Sequence, residues 1–230
     1  GRDFVVGDIH GSFQLLDWAL LLAKFNPRVD RLFMTGDFID RGYLSKNCAK
    51  YLRRKGVFSV RGNHEQHLID LYHDGEPTAT TLAAEIERYS MEWWEPLPVA
   101  TRQQILRAVR KLPFAIEIET DIGLVGIVHA EVPPRTTWQG FLKQLDANDS
   151  QAIESCIWSR RRFKDADCSG VRGVERVFVG HNISDHRIRS RGNVFMVDTG
   201  AVYGANNGPG AGHLSLINII TNPGVITKPA

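Results

Sequence analysis

Three short blocks in the first third of the chain, GDIHG at Gly7–Gly11, GDFIDRG at Gly36–Gly42 and RGNHE at Arg61–Glu65, each follow a short apolar run. The runs FVV, LFM and VFSV read as buried strands, so the blocks fall where strands end and turns begin. That placement delivers Asp8, His10, Asp37, Asp40, Arg41, Asn63 and His64 to one edge of a sheet. The carboxyl edge of an open α/β sheet is where ligands bind. A cluster of acids, imidazoles and an amide at such an edge points to a metal centre, and a pair of cations best fits the mixture.

The surrounding pattern supports parallel strands. Asp3–Val6, Arg31–Thr35 and Val57–Val60 alternate with helical stretches near Phe13–Phe25 and Ser45–Lys55, as βαβ units do. Leu15, Leu16, Ala19, Leu20 and Ala23 recur at helical spacing, which suits one face laid on a sheet. From Glu76 to Leu112 the pattern is helical without strands, an insert in which Thr101 and Gln104 form a capping box opening TRQQILRAVRKL. Trp93, Trp94, Pro96 and Pro98 make this insert bulky and rigid, either a cover over the site or a helical pair packed on the core. Phe114–Glu119, Leu124–Val128, Arg176–Val179, Val194–Val197 and Leu214–Ile219 read as strands, paired as antiparallel hairpins, with Asp121–Gly123 as one turn. Asn206–Gly212 reads as a glycine-rich loop.

Composition narrows the function classes. At 230 residues the expectation is one domain over residues 1–230, with the insert near 76–112. A net charge of +2 gives no field that demands nucleic acid or membrane, and no apolar run is long enough for a membrane span. Arg53–Lys55 reads as a solvated helix face. Cys48, Cys156 and Cys168 have neither disulfide nor zinc spacing, so the expected compartment is the reducing cytoplasm.

Two cations about 3.5–4 Å apart need several ligands each and one bridging carboxylate. Asp8 and His10 straddle one residue of an extended chain, point to the same side and can grip one ion. Asp37, ending the adjacent strand, is the natural bridge, and Asn63 offers an amide oxygen to the second ion. His129 in HAEVP and His181 in GHN end two further apolar strands and supply the ligands that ion lacks.

GDIHG, GDFIDRG, RGNHE, HAEVP and GHN, in this order, resemble the phosphoprotein phosphatase branch of the calcineurin-like metallophosphoesterases, nearest to the lambda-phage type of bacterial and phage serine/threonine protein phosphatases. The likeness extends to IWSR at Ile157–Arg160 and VDTGAVYG at Val197–Gly204. It implies an α/β sandwich of two mixed β-sheets flanked by helices. It also implies that Asp8, His10 and Asp37 hold one metal and Asp37, Asn63, His129 and His181 the other. Of the candidate metals we favour manganese; the donor set also suits iron and tolerates zinc. His64 is the expected general acid, paired with Asp40; Arg41 is the expected phosphate clamp, and Arg160 matches the second phosphate-binding arginine of the family. Arg61 is left open between phosphate contact and structural ion pair. Glu131 and Asn182 depart from the usual pattern, and are expected to alter substrate contacts.

The implied reaction is hydrolysis of phosphomonoesters on phosphorylated proteins or peptides, phosphotyrosine included, by a hydroxide held between the metals. Rival readings on the same fold are a symmetrical diadenosine tetraphosphate hydrolase, a cyclic-nucleotide phosphodiesterase and a scaffold without catalysis. A scaffold should lack a ligand, and none is missing; DRG and RGNHE in full favour the phosphatase over the tetraphosphate hydrolase. The oligomeric state is not legible.

Overall fold

The computed structural model describes residues 1–184, 187–207, 212–221 and 226–227. The His186 position and most of the glycine-rich loop fall outside these residues.

The chain runs β1 (Asp3–Val6), α1 (Phe13–Leu22), β2 (Arg31–Met34), α2 (Cys48–Leu52), β3 (Val57–Ser59), α3 (Asn63–Leu71), α4 (Ala79–Tyr89), α5 (Val99–Val109), β4 (Ala115–Thr120) and β5 (Gly123–Val128). It continues through α6 (Trp138–Asp146), α7 (Ser150–Trp158), α8 (Arg161–Lys164), β6 (Arg176–Val179), β7 (Arg189–Arg191), β8 (Val194–Met196), α9 (Ala201–Asn207), β9 (Leu214–Asn218) and β10 (Ile226–Thr227). Two five-stranded mixed sheets result, ordered β10-β9-β1-β2-β3 and β4-β5-β6-β8-β7.

Strand alternation explains the layers. Val5 and Phe33 point between the sheets, where they meet Ile118, Val125, Ile127 and Phe178. Phe4, Val6, Leu32 and Met34 point outward onto Phe13, Leu16 and Ala19 of α1, three positions one helical turn apart. Val177 and Val179 of β6 face the opposite exterior, under Trp138, Phe141 and Ile157. Both faces of each sheet are therefore buried, which is why its strands read as continuous apolar runs. Gly126 admits the Trp138 indole; a Cβ there would stand 2.5 Å from the ring.

Several expectations need correction. The second helical stretch is a 3₁₀ turn at Tyr43–Asn47 followed by the short α2. Helix α5 starts at Val99, not at Thr101, because the Pro98 carbonyl already accepts the N–H groups of Thr101 and Arg102. The later strands are not all hairpins. β4 and β5 pair antiparallel around Thr120–Gly123, but β5 with β6 and β6 with β8 run parallel. Helices α6, α7 and α8, absent from the sequence reading, supply the first of these crossovers. Their starts carried signals: Thr137 and Asp149 cap α6 and α7 through side-chain oxygens that accept from Gly140 and Ala152 N–H.

Candidate metal centre

Backbone hydrogen bonds lock the first two blocks together before any side chain acts. Ile9 and His10 N–H both donate to the Asp37 carbonyl, and Gly11 N–H donates to Phe38. The turns are tight: His10, Asp37, Asp40, Arg41 and His181 all have positive φ, between 43° and 66°, without being glycine. Left-handed backbone at such residues costs of order 1 kcal/mol or more each, and it concentrates where a site requires it.

Asp37 stands at the centre. Its Oδ2 lies 3.4 Å from His129 Nε2, 3.8 Å from His10 Nε2 and 3.9 Å from His64 Nε2, while its Oδ1 accepts the His64 N–H at 3.0 Å. The imidazoles are aimed by their other nitrogens: His10 Nδ1 donates to the Ile39 carbonyl and His129 Nδ1 to that of Thr35, both at 2.8 Å. His129 Nε2 is 2.9 Å from Asn63 Oδ1 and 3.2 Å from His181 Nδ1. Two groups of ligand-type atoms follow, one from His10, Asp37 and His64 and one from Asp37, His129 and His181, each within 4.8 Å.

Asp8 does not join the first group. Its Oδ1 accepts from Thr35 Oγ1 and its Oδ2 from the His181 N–H, although it lines the same cleft. That cleft, of about 310 Å³, is bordered by Asp8, His10, Asp37, Asn63 and His181, with Arg41 and Arg160 at its mouth.

The remaining predicted residues lie around it. His64 Nδ1 is 2.7 Å from Asp40 Oδ2, and its Nε2 is 3.3 Å from Arg41 Nη2. Arg160 Nη1 donates to Asn182 Oδ1 at 2.9 Å and to the His181 carbonyl at 3.2 Å. Arg61 is structural: it donates to the Arg110 and Leu112 carbonyls and lies over the Phe114 ring. Glu131 is buried; it accepts from Ser159 Oγ at 2.6 Å and from the Arg162 N–H at 2.8 Å, tying down the turn that carries Arg160. Asn182 is equally buried and acts on Arg160, so both departures bear on the scaffold behind an arginine.

Two further acids escaped the sequence reading. Glu65, fully buried, accepts the N–H groups of Asp37, Phe38 and Gly62, so it aims the central turn. Its position three residues after Gly62, as in a capping box, was the signal that could have found it. Asp198, in VDTGA, is buried near Asp8; the family likeness of VDTGAVYG was the signal that could have found it.

The electrostatics are those of charge confined in a dry place. Burial and the neighbouring Asp198 push Asp8 well above the usual carboxylate range, and burial raises Asp198 to about 6. Burial and the His64 ring push His10 well below its ordinary value, while burial and His129 lower His181 to about 3. Burial opposes charge on Asp37 too, yet His129, His64 and His10 hold its pKa well down. Burial opposes charge on His129, but the Asp37 carboxylate, by its charge and by a hydrogen bond, raises it to about 10. Buried carboxylates, the neutral imidazoles of His10 and His181, the His129 ring facing Asp37 and an amide oxygen are a donor set for borderline divalent cations. The residues fit such ions.

The comparisons agree. A family model for calcineurin-like phosphoesterases matches residues 4–184. The chain is 32% identical to serine/threonine-protein phosphatase 1 of Salmonella typhimurium over 205 residues, covering 87% of each. It is 29% identical to the symmetrical bis(5'-nucleosyl)-tetraphosphatase of Pectobacterium carotovorum over 66% of this chain and 50% of that one. Among solved structures, a protein serine/threonine phosphatase from Saccharomyces cerevisiae superposes with a TM-score of 0.56 at 18% identity, covering 99% of this chain and 79% of that one. The shared fold, the matched span and the strand-end blocks together place the chain in the calcineurin-like phosphoesterase family.

Proposed function

We propose that the cleft is a two-metal centre that hydrolyses phosphoserine and phosphothreonine esters on proteins or peptides, and phosphotyrosine as a further substrate. The observation that carries this reading is the single Asp37 carboxylate shared by two groups of ligand-type atoms, with two arginines at the mouth. Asp8, His10 and Asp37 would hold one cation; Asp37, Asn63, His129 and His181 would hold the other. For Asp8 this means turning an oxygen from Thr35 Oγ1 into the cleft. Mixed carboxylate, imidazole and amide donors support manganese, and iron or zinc are the alternatives. When bound, the cations supply the charge that makes a water nucleophilic near neutral pH.

The chain's own groups do the rest. Arg41 and Arg160 clamp phosphate oxygens, Arg41 from a turn whose backbone is pinned to Ser90 and Arg160 from its seat on Asn182. The Asn63 amide helps to neutralise the phosphate. His64 delivers the proton that a departing alkoxide requires. Burial disfavours a charged His64, but Asp37 and Asp40 outweigh it and raise its pKa, which favours the proton-bearing form. The unpaired, buried Cys48 and Cys156 support a reducing, cytoplasmic setting.

Likeness to the serine/threonine phosphatase over most of both chains supports the protein substrate. The second reading, a symmetrical dinucleoside tetraphosphatase, is favoured by relatives of which this chain spans about half or less. The test compares rates on a phosphoserine peptide, diadenosine tetraphosphate and a cyclic nucleotide with manganese added, then with EDTA. Preferred cleavage of the peptide, lost in EDTA and restored by manganese, is expected. Full activity in a metal-free sample would overturn the two-metal reading, and preferred cleavage of the dinucleotide would overturn the substrate.

A further inference from the structure

The helical segment between α3 and α5 reaches into the site at Asp40. Trp93, 2% exposed, donates its indole N–H to Asp40 Oδ1 at 2.8 Å, while Asp40 Oδ2 is the oxygen held by His64 Nδ1 at 2.7 Å. One carboxylate is thus gripped on both oxygens by side chains 53 and 24 residues away, and rotation about its Cβ–Cγ bond would break both bonds. Asp40 is completely buried, so an oxygen released by Trp93 would find no water to replace it.

The grip closes into a ring. Trp93 packs edge-on against Trp94 at 5.2 Å, and Trp94 Nε1 donates to the Tyr72 hydroxyl at 2.8 Å. Tyr72 terminates α3, the helix whose first turn carries Asn63 and His64. The same segment also pins the next residue of the block, because the Arg41 N–H donates to the Ser90 carbonyl at 2.8 Å. Tyr89 sets its ring edge-on to His64 at 5.6 Å. A helical pair that only filled the core would have no reason to aim the Trp93 indole donor at a buried carboxylate.

We propose that Trp93 is a positioning residue for proton transfer: its N–H fixes the Asp40 carboxylate and, through it, the attitude from which His64 meets the leaving oxygen. This rests on the reading of His64 as the general acid.

The test uses leaving groups. Serine leaves as an alkoxide and needs the proton; p-nitrophenolate leaves well without it. In the manganese-loaded protein, Trp93→Phe is expected to lower kcat on a phosphoserine peptide by about tenfold more than on p-nitrophenyl phosphate, with KM for both little changed. Replacing Trp93 by 3-benzothienylalanine, which keeps the shape and removes only the N–H, is expected to reproduce that selective loss and separates it from misfolding. Equal losses on the two esters in the benzothienylalanine protein, or none, would overturn the positioning role. If the wild-type protein cleaves neither ester, the phosphatase reading itself falls and this role with it.

Discussion

Gly180 packs directly against Asp8: a Cβ at Gly180 would overlap the Asp8 Oδ1 atom and stand 2.6 Å from Thr35 Oγ1. Gly180 follows β6 and Asp8 follows β1, so the ends of the two sheets meet at this carboxylate. Gly180→Ala is expected to cost about 1–3 kcal/mol by overpacking and to weaken manganese binding by about tenfold or more, since Asp8 must move. Thermal melts and calorimetric titration with manganese check it. Unchanged metal affinity would mean that Asp8 is not a ligand.

Arg160 owes its placement to Asn182 and the His181 carbonyl. Asn182→Ala leaves the charge but frees the guanidinium, so the KM for a phosphopeptide should rise roughly three- to tenfold, about 1 kcal/mol of lost clamping. Steady-state kinetics on a peptide series read this directly. A variant with wild-type KM would remove Arg160 from phosphate binding or Asn182 from its support.

Far from the cleft, Asp30 sets an acid limit on stability. Its pKa is lowered to about 2, by the Arg2 side chain first, against some opposition from burial, with help from the Asn26 and Arg2 N–H groups. A carboxylate whose folded pKa lies below its unfolded value of 3.8 stabilises the fold above that value and loses the contribution as pH falls from 3.8 toward 2. Arg2 is nearly half-exposed, so after screening the contribution is about 1 kcal/mol. Asp30→Asn should therefore destabilise by about that amount at neutral pH, and the gap from wild type should narrow as pH falls through 4 to 3. Urea melts across this range test it.

Thiol chemistry should be confined to one cysteine. Cys48 and Cys156 are buried, and burial raises both thiols, Cys156 to about 12, whereas Cys168 is exposed. Ellman's reagent is expected to titrate one thiol in the native protein and all three in guanidinium chloride. Rapid native labelling of Cys156 would show that α7 opens readily from the second sheet.

How much of this was legible depends on the range of each interaction. The early strands and the ligand-type residues at their ends could be read because a βαβ unit writes its period locally and a metal site demands particular side chains. The crossovers through α6 and α7 were missed although Thr137 and Asp149 marked their starts: no element is read between Val128 and Arg176, where apolar residues are few and broken by polar ones. Glu65 stood in view inside RGNHE, but its partners are the N–H groups of residues as much as 28 positions away, and backbone atoms leave no mark in a sequence.

The three blocks by themselves determined the chemistry available: carboxylates, imidazoles, an amide and two arginines, each at the end of a strand. Only the tertiary structure decided which atoms meet. Parallel pairing of β1 with β2, and the stacking of one sheet on the other, brought Asp37 within 4 Å of the facing nitrogens of three histidines, one of them 92 residues further along. It also made Glu131, expected to alter substrate contacts, a brace for the turn at Arg160, and made Trp93 a partner of Asp40. Side-chain identity is set residue by residue, whereas register and burial are set by the whole packed core, and a site built from distant strand ends depends on both.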